Sequence, residues 1–203
     1  MRYTVKLRNL NLLTVGSAYP RLTTADITTV RIGGVPVIPG SSFKGSLRTS
    51  AHRAASKVNR TSCGEIEPRK IVEAHKRMGR RCDVCSLFGM PGPGATSDSK
   101  VIVSALYPSS GVETATLTRV SISPVKGKAE RGGLFSLEVV PLCTTFEGEI
   151  ILLDDSYKDL LLASLDEMRN NTIGKGSLLD LKVEGDLPDE FKHLSEWRWD
   201  ICP

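Results

Sequence analysis

Nothing in the 203 residues approaches the run of ~18 apolar side chains that a membrane-spanning helix needs. The opening Met1-Arg2-Tyr3-Thr4-Val5-Lys6 alternates polar and apolar residues instead of leading into the apolar block of a signal peptide. The expectation is a cytoplasmic protein with no membrane partner. Histidine is scarce, at three residues, which restricts histidine acid–base chemistry to His52, His75 and His193. No repeat of fixed period and no low-complexity segment is present. Cysteine numbers five, an odd count, which without export signals argues against a disulfide framework and for thiols kept reduced or bound to metal. With 40% apolar and 25% charged residues the chain is not generally disordered, and its length suits a single domain, 1–203, with large insertions.

The net charge of +4 conceals a partition. Residues 41–81 hold eleven Lys or Arg against three acids, whereas residues 154–203 hold six against twelve. A basic block of that density attracts polyanions by counterion exchange, or serves as a solvated face that keeps the chain soluble.

Tyr3, Val5 and Leu7 alternate with Thr4, Lys6 and Arg8, which predicts a half-buried first strand. Val35–Ile38 predicts a short extended segment stopped by Pro39-Gly40. Ser41 and Ser42 can cap a helix running from Phe43 to about Asn59, with Phe43, Leu47, Ala51 and Ala55 on one face and Lys44, Arg48 and His52 on the neighbouring stripe. Residues 60–98 read as an insertion and 108–133 as a projecting hairpin. Val101–Tyr107 predicts a strand, Leu134–Val140 and Thr144–Leu153 predict an antiparallel pair, Ser156–Asn170 a second helix and Leu178–Val183 a last strand. This order suits an α+β fold, ferredoxin-like (RNA-recognition-motif-like), with an antiparallel sheet and two helices.

Cys82-Asp83-Val84-Cys85 lets two thiolates reach one tetrahedral ion from a tight turn, and Cys63 and His75 upstream complete a Cys3His set. Four protein ligands leave no open position, so the expected cofactor is a structural zinc. A redox dithiol is the rival, but no strand leads into an apolar helix here. Cys143 and Cys202 read as ordinary apolar positions. Gly89–Ser97 lacks the lysine of a phosphate loop; Gly174-Lys175-Gly176-Ser177 is too short for a nucleotide fingerprint, although its amides can approach a phosphate. Lys44 and Arg48, one turn apart at a helix start, suit a phosphate clamp or an ordinary helix with a solvated basic edge.

Pro36-Val37-Ile38-Pro39-Gly40-Ser41-Ser42-Phe43-Lys44-Gly45-Ser46-Leu47-Arg48 resembles the signature of the RAMP superfamily of CRISPR-associated proteins, specifically the backbone subunits of type III (Csm- and Cmr-type) effector complexes. Cys82–Gly89, ending in Leu-Phe-Gly, is similar to the family's cysteine-containing block. Val120–Ile122 and Ala129–Phe135, followed by Glu138–Pro141 and Phe146–Gly148, resemble its projecting hairpin and the strands that follow. The resemblance implies an RNA-recognition-type fold, copies stacked in a filament along a guide RNA with other effector subunits, and a hairpin that wedges the guide–target RNA duplex. It marks Ser41, Ser42, Lys44, Arg48, His52, Arg119, Lys126, Lys128 and Lys175 as RNA-binding. It further implies target-RNA cleavage by a loop aspartate with a divalent metal, magnesium. A gapless alignment puts that position at Thr24, and Asp26 is the only acid between Thr14 and Gly40. Gly174–Ser177 keeps part of the family's Gly-Gly and Arg pattern. A free-standing, metal-independent CRISPR ribonuclease that processes precursor RNA is the alternative. A zinc deaminase lacks its His-x-Glu partner.

Overall fold

Alternation along the first strand is realised in the computed structural model, which describes residues 1–17, 25–90 and 98–202: Tyr3, Val5 and Leu7 are buried on one side of β1 (Arg2–Asn9). A small hairpin follows, β2 (Arg31–Ile32) and β3 (Val35–Pro36). Its turn residues Gly33 and Gly34 have φ of 58° and 84°, the backbone a two-residue turn requires. Helix α1 (Gly40–Ala54) begins earlier than the capping pattern predicts. Its cap position is Pro39, without a side-chain cap bond, so Ser41 and Ser42 lie inside the first turn. Gly40 opens the helix pressed against neighbouring backbone, where a Cβ would stand 2.4 Å from the Val103 carbonyl oxygen. A 3-10 turn, Ala55–Val58, carries the helix to Asn59 at φ 53°, a left-handed stop.

Within the stretch 60–98, read from sequence as an insertion, two helices form: α2 (Pro68–Met78) and α3 (Asp83–Phe88). The strands β4 (Val101–Val103) and β5 (Tyr107–Pro108) come next, then β6 (Ala115–Ile122), β7 (Ala129–Val139) and β8 (Thr145–Leu152). Helix α4 (Lys158–Met168), β9 (Thr172–Ile173) and β10 (Ser177–Glu184) complete the series. The main sheet is antiparallel in the order β4-β8-β1-β10-β9, with β5 also on β8. Helices α1 and α4 pack on each other, and Phe43, Leu47, Leu161 and Leu165 share one core with Tyr3, Val5 and Leu7. Each large aliphatic side chain fully buried there contributes about 1.5–3 kcal/mol.

Two expectations are corrected. The strand at Leu134–Val140 does not pair with the strand that follows it; β7 pairs with β6 as a separate two-stranded ribbon, and β8 pairs with β1. The chain leaves the ribbon at Val140, which bridges to Leu13, and Cys143 at φ 62° turns it away. Cys143 and Cys202 are not independent apolar positions, because they form a disulfide across 59 residues. Spacing that long leaves no local mark in a sequence. The segment it ties down covers the polar face of the sheet: the Arg8 guanidinium lies 4.4 Å from the Trp197 ring centroid, and Asp180 accepts from the amides of Arg198 and Trp199 at 2.8 and 3.0 Å. No helix among the described residues is long and apolar enough to cross a membrane.

Candidate metal centre and nucleic-acid cleft

Cys63 sits on the loop after α1, His75 on the last turn of α2, Cys82 at the N-cap of α3 and Cys85 in its first turn. Asp83 fixes the loop against α3, accepting at 2.7 and 2.6 Å from the amide and hydroxyl of Thr61, whose hydroxyl in turn accepts from the Asp83 amide at 3.0 Å. The four ligand atoms lie within 4.8 Å of one another. Cys63 Sγ is 3.8 Å from Cys85 Sγ, and His75 Nε2 is 3.4 Å from Cys82 Sγ. A tetrahedral zinc with Zn–S of about 2.3 Å and Zn–N of about 2.0 Å has ligand–ligand edges of about 3.8 and 3.5 Å. The donor set and spacing therefore fit zinc, or another ion of like preference. Without metal, a proton on Cys85 is donated to Cys82, which pushes the Cys82 thiol down to about 4 while raising that of Cys85. Burial raises the Cys63 thiol.

Arg48 belongs to this centre. Its guanidinium donates to Cys85 Sγ at 3.0 Å and to the Gly89 carbonyl at 2.9 Å, the kind of outer contact that orients a ligand and offsets thiolate charge. Lys44 is also turned inward, to Ser99 Oγ at 2.6 Å and the Val101 carbonyl at 3.0 Å. His52 meets Ser62 Oγ at 2.7 Å through Nδ1, and its buried Nε2 has no hydrogen-bond partner among the described residues. Burial lowers its pKa. The predicted basic stripe of α1 is thus turned inward, Arg48 and His52 toward the Cys3His cluster and its loop and Lys44 toward Ser99 and Val101.

A cleft of about 600 Å³ opens beside the start of α1, lined by Ser42, Ser46, Gly16, Ser17, Gly174 and Lys175 among others. Gly174, at φ 61°, is pressed so closely on the Thr14 carbonyl that a Cβ would stand 2.2 Å away, and the Lys175 amide donates to the same oxygen at 2.9 Å. The glycine turn therefore packs flat on the chain after β1 and leaves the Lys175 side chain at the cleft. Ser46, Gly16 and Ser17 escaped the sequence reading; Ser46 follows from Ser42 by the i, i+4 step of the helix. Ser41 is exposed on the first turn of α1, outside this lining.

Ile27 also lines the cleft, and Asp26 is its neighbour. Asp26 Oδ2 accepts from the Ser136 amide at 2.7 Å and its hydroxyl at 2.8 Å, which hold the carboxyl below its ordinary value. Thr24, the gapless counterpart, lies outside the described residues, as does most of Gly89–Ser97. Arg119, Lys126 and Lys128 are exposed on the ribbon, and their side chains have no partner among the described residues. The ribbon's base is anchored by Glu138, which accepts from Arg31, from Thr114 Oγ1 at 2.7 Å and from the Thr29 amide at 2.9 Å.

A model of the RAMP superfamily matches residues 6–178. The chain belongs to the RAMP superfamily. The matched stretch contains both the metal cluster and the cleft, and membership supports a CRISPR-associated RNA-binding role. Curated proteins include none that matches the chain. In this RAMP protein the polar face of the sheet carries Tyr107 of β5, exposed and opposite Glu147. The central strands offer Thr4, Lys6, Glu147 and Glu149 on the polar face, where RNA-recognition motifs place aromatic residues. His75 joins the cysteines, with His52 near enough to feel it, while His193 Nε2 lies 2.9 Å from Asp166.

Proposed function

We propose that this RAMP protein is a guide-RNA-binding backbone subunit of a type III CRISPR effector complex, acting in the cytoplasm as one unit over residues 1–203. The observation that carries the reading is the cleft, where the first turns of α1 and the Gly174–Lys175 turn meet. Amides at a helix start favour anions, and the serine hydroxyls with Lys175 add donors that hold a sugar–phosphate backbone without reading its sequence. The strand order β4-β8-β1-β10 with two helices in one core supports a ferredoxin-like body. The exposed ribbon, with Arg119, Lys126 and Lys128, suits contact with a guide–target duplex, and copies would stack along the guide with other subunits. Purifying the protein with co-expressed partners and sequencing the bound RNA tests this: repeat-derived guides support it, and RNA of random origin sinks it.

For target cleavage we propose Asp26, next to the cleft. Its carboxylate is exposed and is held through Oδ2 by Ser136. A single carboxylate can hold magnesium only together with RNA phosphates and water, so the ion would come with the substrate. Asp26→Asn in the assembled complex should abolish magnesium-dependent cutting of a matched target while guide binding persists. Equal cutting by both proteins removes Asp26 from the chemistry.

A further inference from the structure

The eleven cations of residues 41–81 fall into two groups. Lys44 is spent on Ser99 and Val101, Arg48 and Arg81 on Cys85 and carbonyls of the insertion, Arg53 on Asn171, Lys57 on Glu167 at 2.6 Å, Arg60 on Asp159 at 2.8 Å and Lys70 on Glu67 at 2.7 Å. Arg69, Lys76, Arg77 and Arg80 remain. All four are exposed on α2 or just beyond it, and none makes a side-chain hydrogen bond or ion pair among the described residues. Asp83, the acid that feels Arg80, is already held by Thr61 and Arg60. Only Glu73 interrupts the exposed face.

We propose that this face of α2 is a second RNA contact, a track for the sugar–phosphate backbone separate from the cleft. The inference rests on the RNA-binding reading and extends it to the metal insertion. Arg69 and Lys76 follow one stripe, about 10 Å apart along the helix axis, and Arg80 lies just past the left-handed stop at Gly79. Beside them runs a groove of about 350 Å³ lined by the apolar Val72 and Met90 and the His75 ring, with Lys76 and Arg80 also along it. Cations beside apolar side chains suit a nucleotide, with phosphate on the cations and ribose or base against the apolar lining. Helix α2 is seated through buried Ile71 and Ala74 and through His75, so the metal centre fixes where this charge is displayed.

The test is anisotropy binding of a fluorescent single-stranded RNA of unrelated sequence across a salt series. Each lost phosphate contact should lower the slope of log affinity against log salt by about 0.7 on a single strand. Arg69→Gln with Lys76→Gln, Arg77→Gln and Arg80→Gln should flatten the slope by about 2 to 3 and weaken binding at least tenfold at low salt, with zinc content unchanged. Lys57→Gln, whose cation is already paired, should leave the slope alone. Should the quadruple variant lose zinc, the single Arg77→Glu replaces it and should still flatten the slope. Wild-type binding that falls with Lys175→Ala but not with the α2 variants overturns this inference alone. Wild-type protein that binds no RNA overturns the RNA-binding reading with it.

Discussion

Three thiolates and a neutral imidazole around a divalent ion leave one excess negative charge, and Arg48, 3.0 Å from Cys85 Sγ, is placed to offset it. Because the thiolates are the ligating forms, zinc should be released on acidification. Cys82→Ser should lose stoichiometric zinc and open the insertion to protease around Gly79–Arg81, while the main sheet keeps its melting transition. Metal analysis and limited proteolysis check both, and unchanged zinc would end the assignment. The Cys3His cluster was legible because coordination demands particular residue types at short spacing. The fate of Lys44 and Arg48 was not: periodicity tells which side chains share a stripe, but the stripe's neighbour, the insertion, is set by tertiary packing.

Among the elements, the ribbon of β6 and β7 depends most on one carboxylate. Burial raises the pKa of Glu138, but hydrogen bonds from Arg31, Thr114 and the Thr29 amide win and hold it below its ordinary 4.5. A lowered folded-state pKa means that this contribution is complete above the ordinary value and fades as pH falls through the lowered one. Glu138→Gln should weaken ribbon docking by about 1–2 kcal/mol at neutral pH and flatten its loss below about pH 4.5. Hydrogen exchange of the ribbon amides across that range reports it, and identical pH profiles would contradict the role. The ribbon's place was readable from its poverty in large apolar groups, but its pairing was not, since Leu134 and Leu137 belong to strand patterns that fit either neighbour. Helix α2 left a signal that the cysteines masked: Pro68 at its start, Ile71 and Ala74 inward, and Gly79 at φ 68° as its stop.

For the molecule as a whole, the disulfide joins the end of the ribbon to the segment that covers the sheet. Closing a loop of 59 residues restricts the unfolded chain by up to about 4 kcal/mol. Cys143→Ser with Cys202→Ser should lower the denaturation midpoint accordingly and leave zinc content untouched; calorimetry under non-reducing conditions decides it, and an unshifted midpoint would mean that the cross-link contributes nothing. Sequence order conveyed the succession of sheet strands and the two long helices, because each carries its own period. It could not convey a bond between residues so far apart, nor which cations would find acids and which would stay free on α2.

That bond also sets how the protein responds to force. Residues 143 to 202 form a covalent ring holding β8, α4, β9 and β10. A pull applied beyond Cys202 is not passed strand by strand into β10. It is diverted through sulfur to the base of the ribbon, where Val140 is bonded to Leu13. A processive unfoldase gripping that side would have to draw in a doubled chain or wait for a reductant, so oxidised and reduced protein should differ in how fast such a machine consumes them.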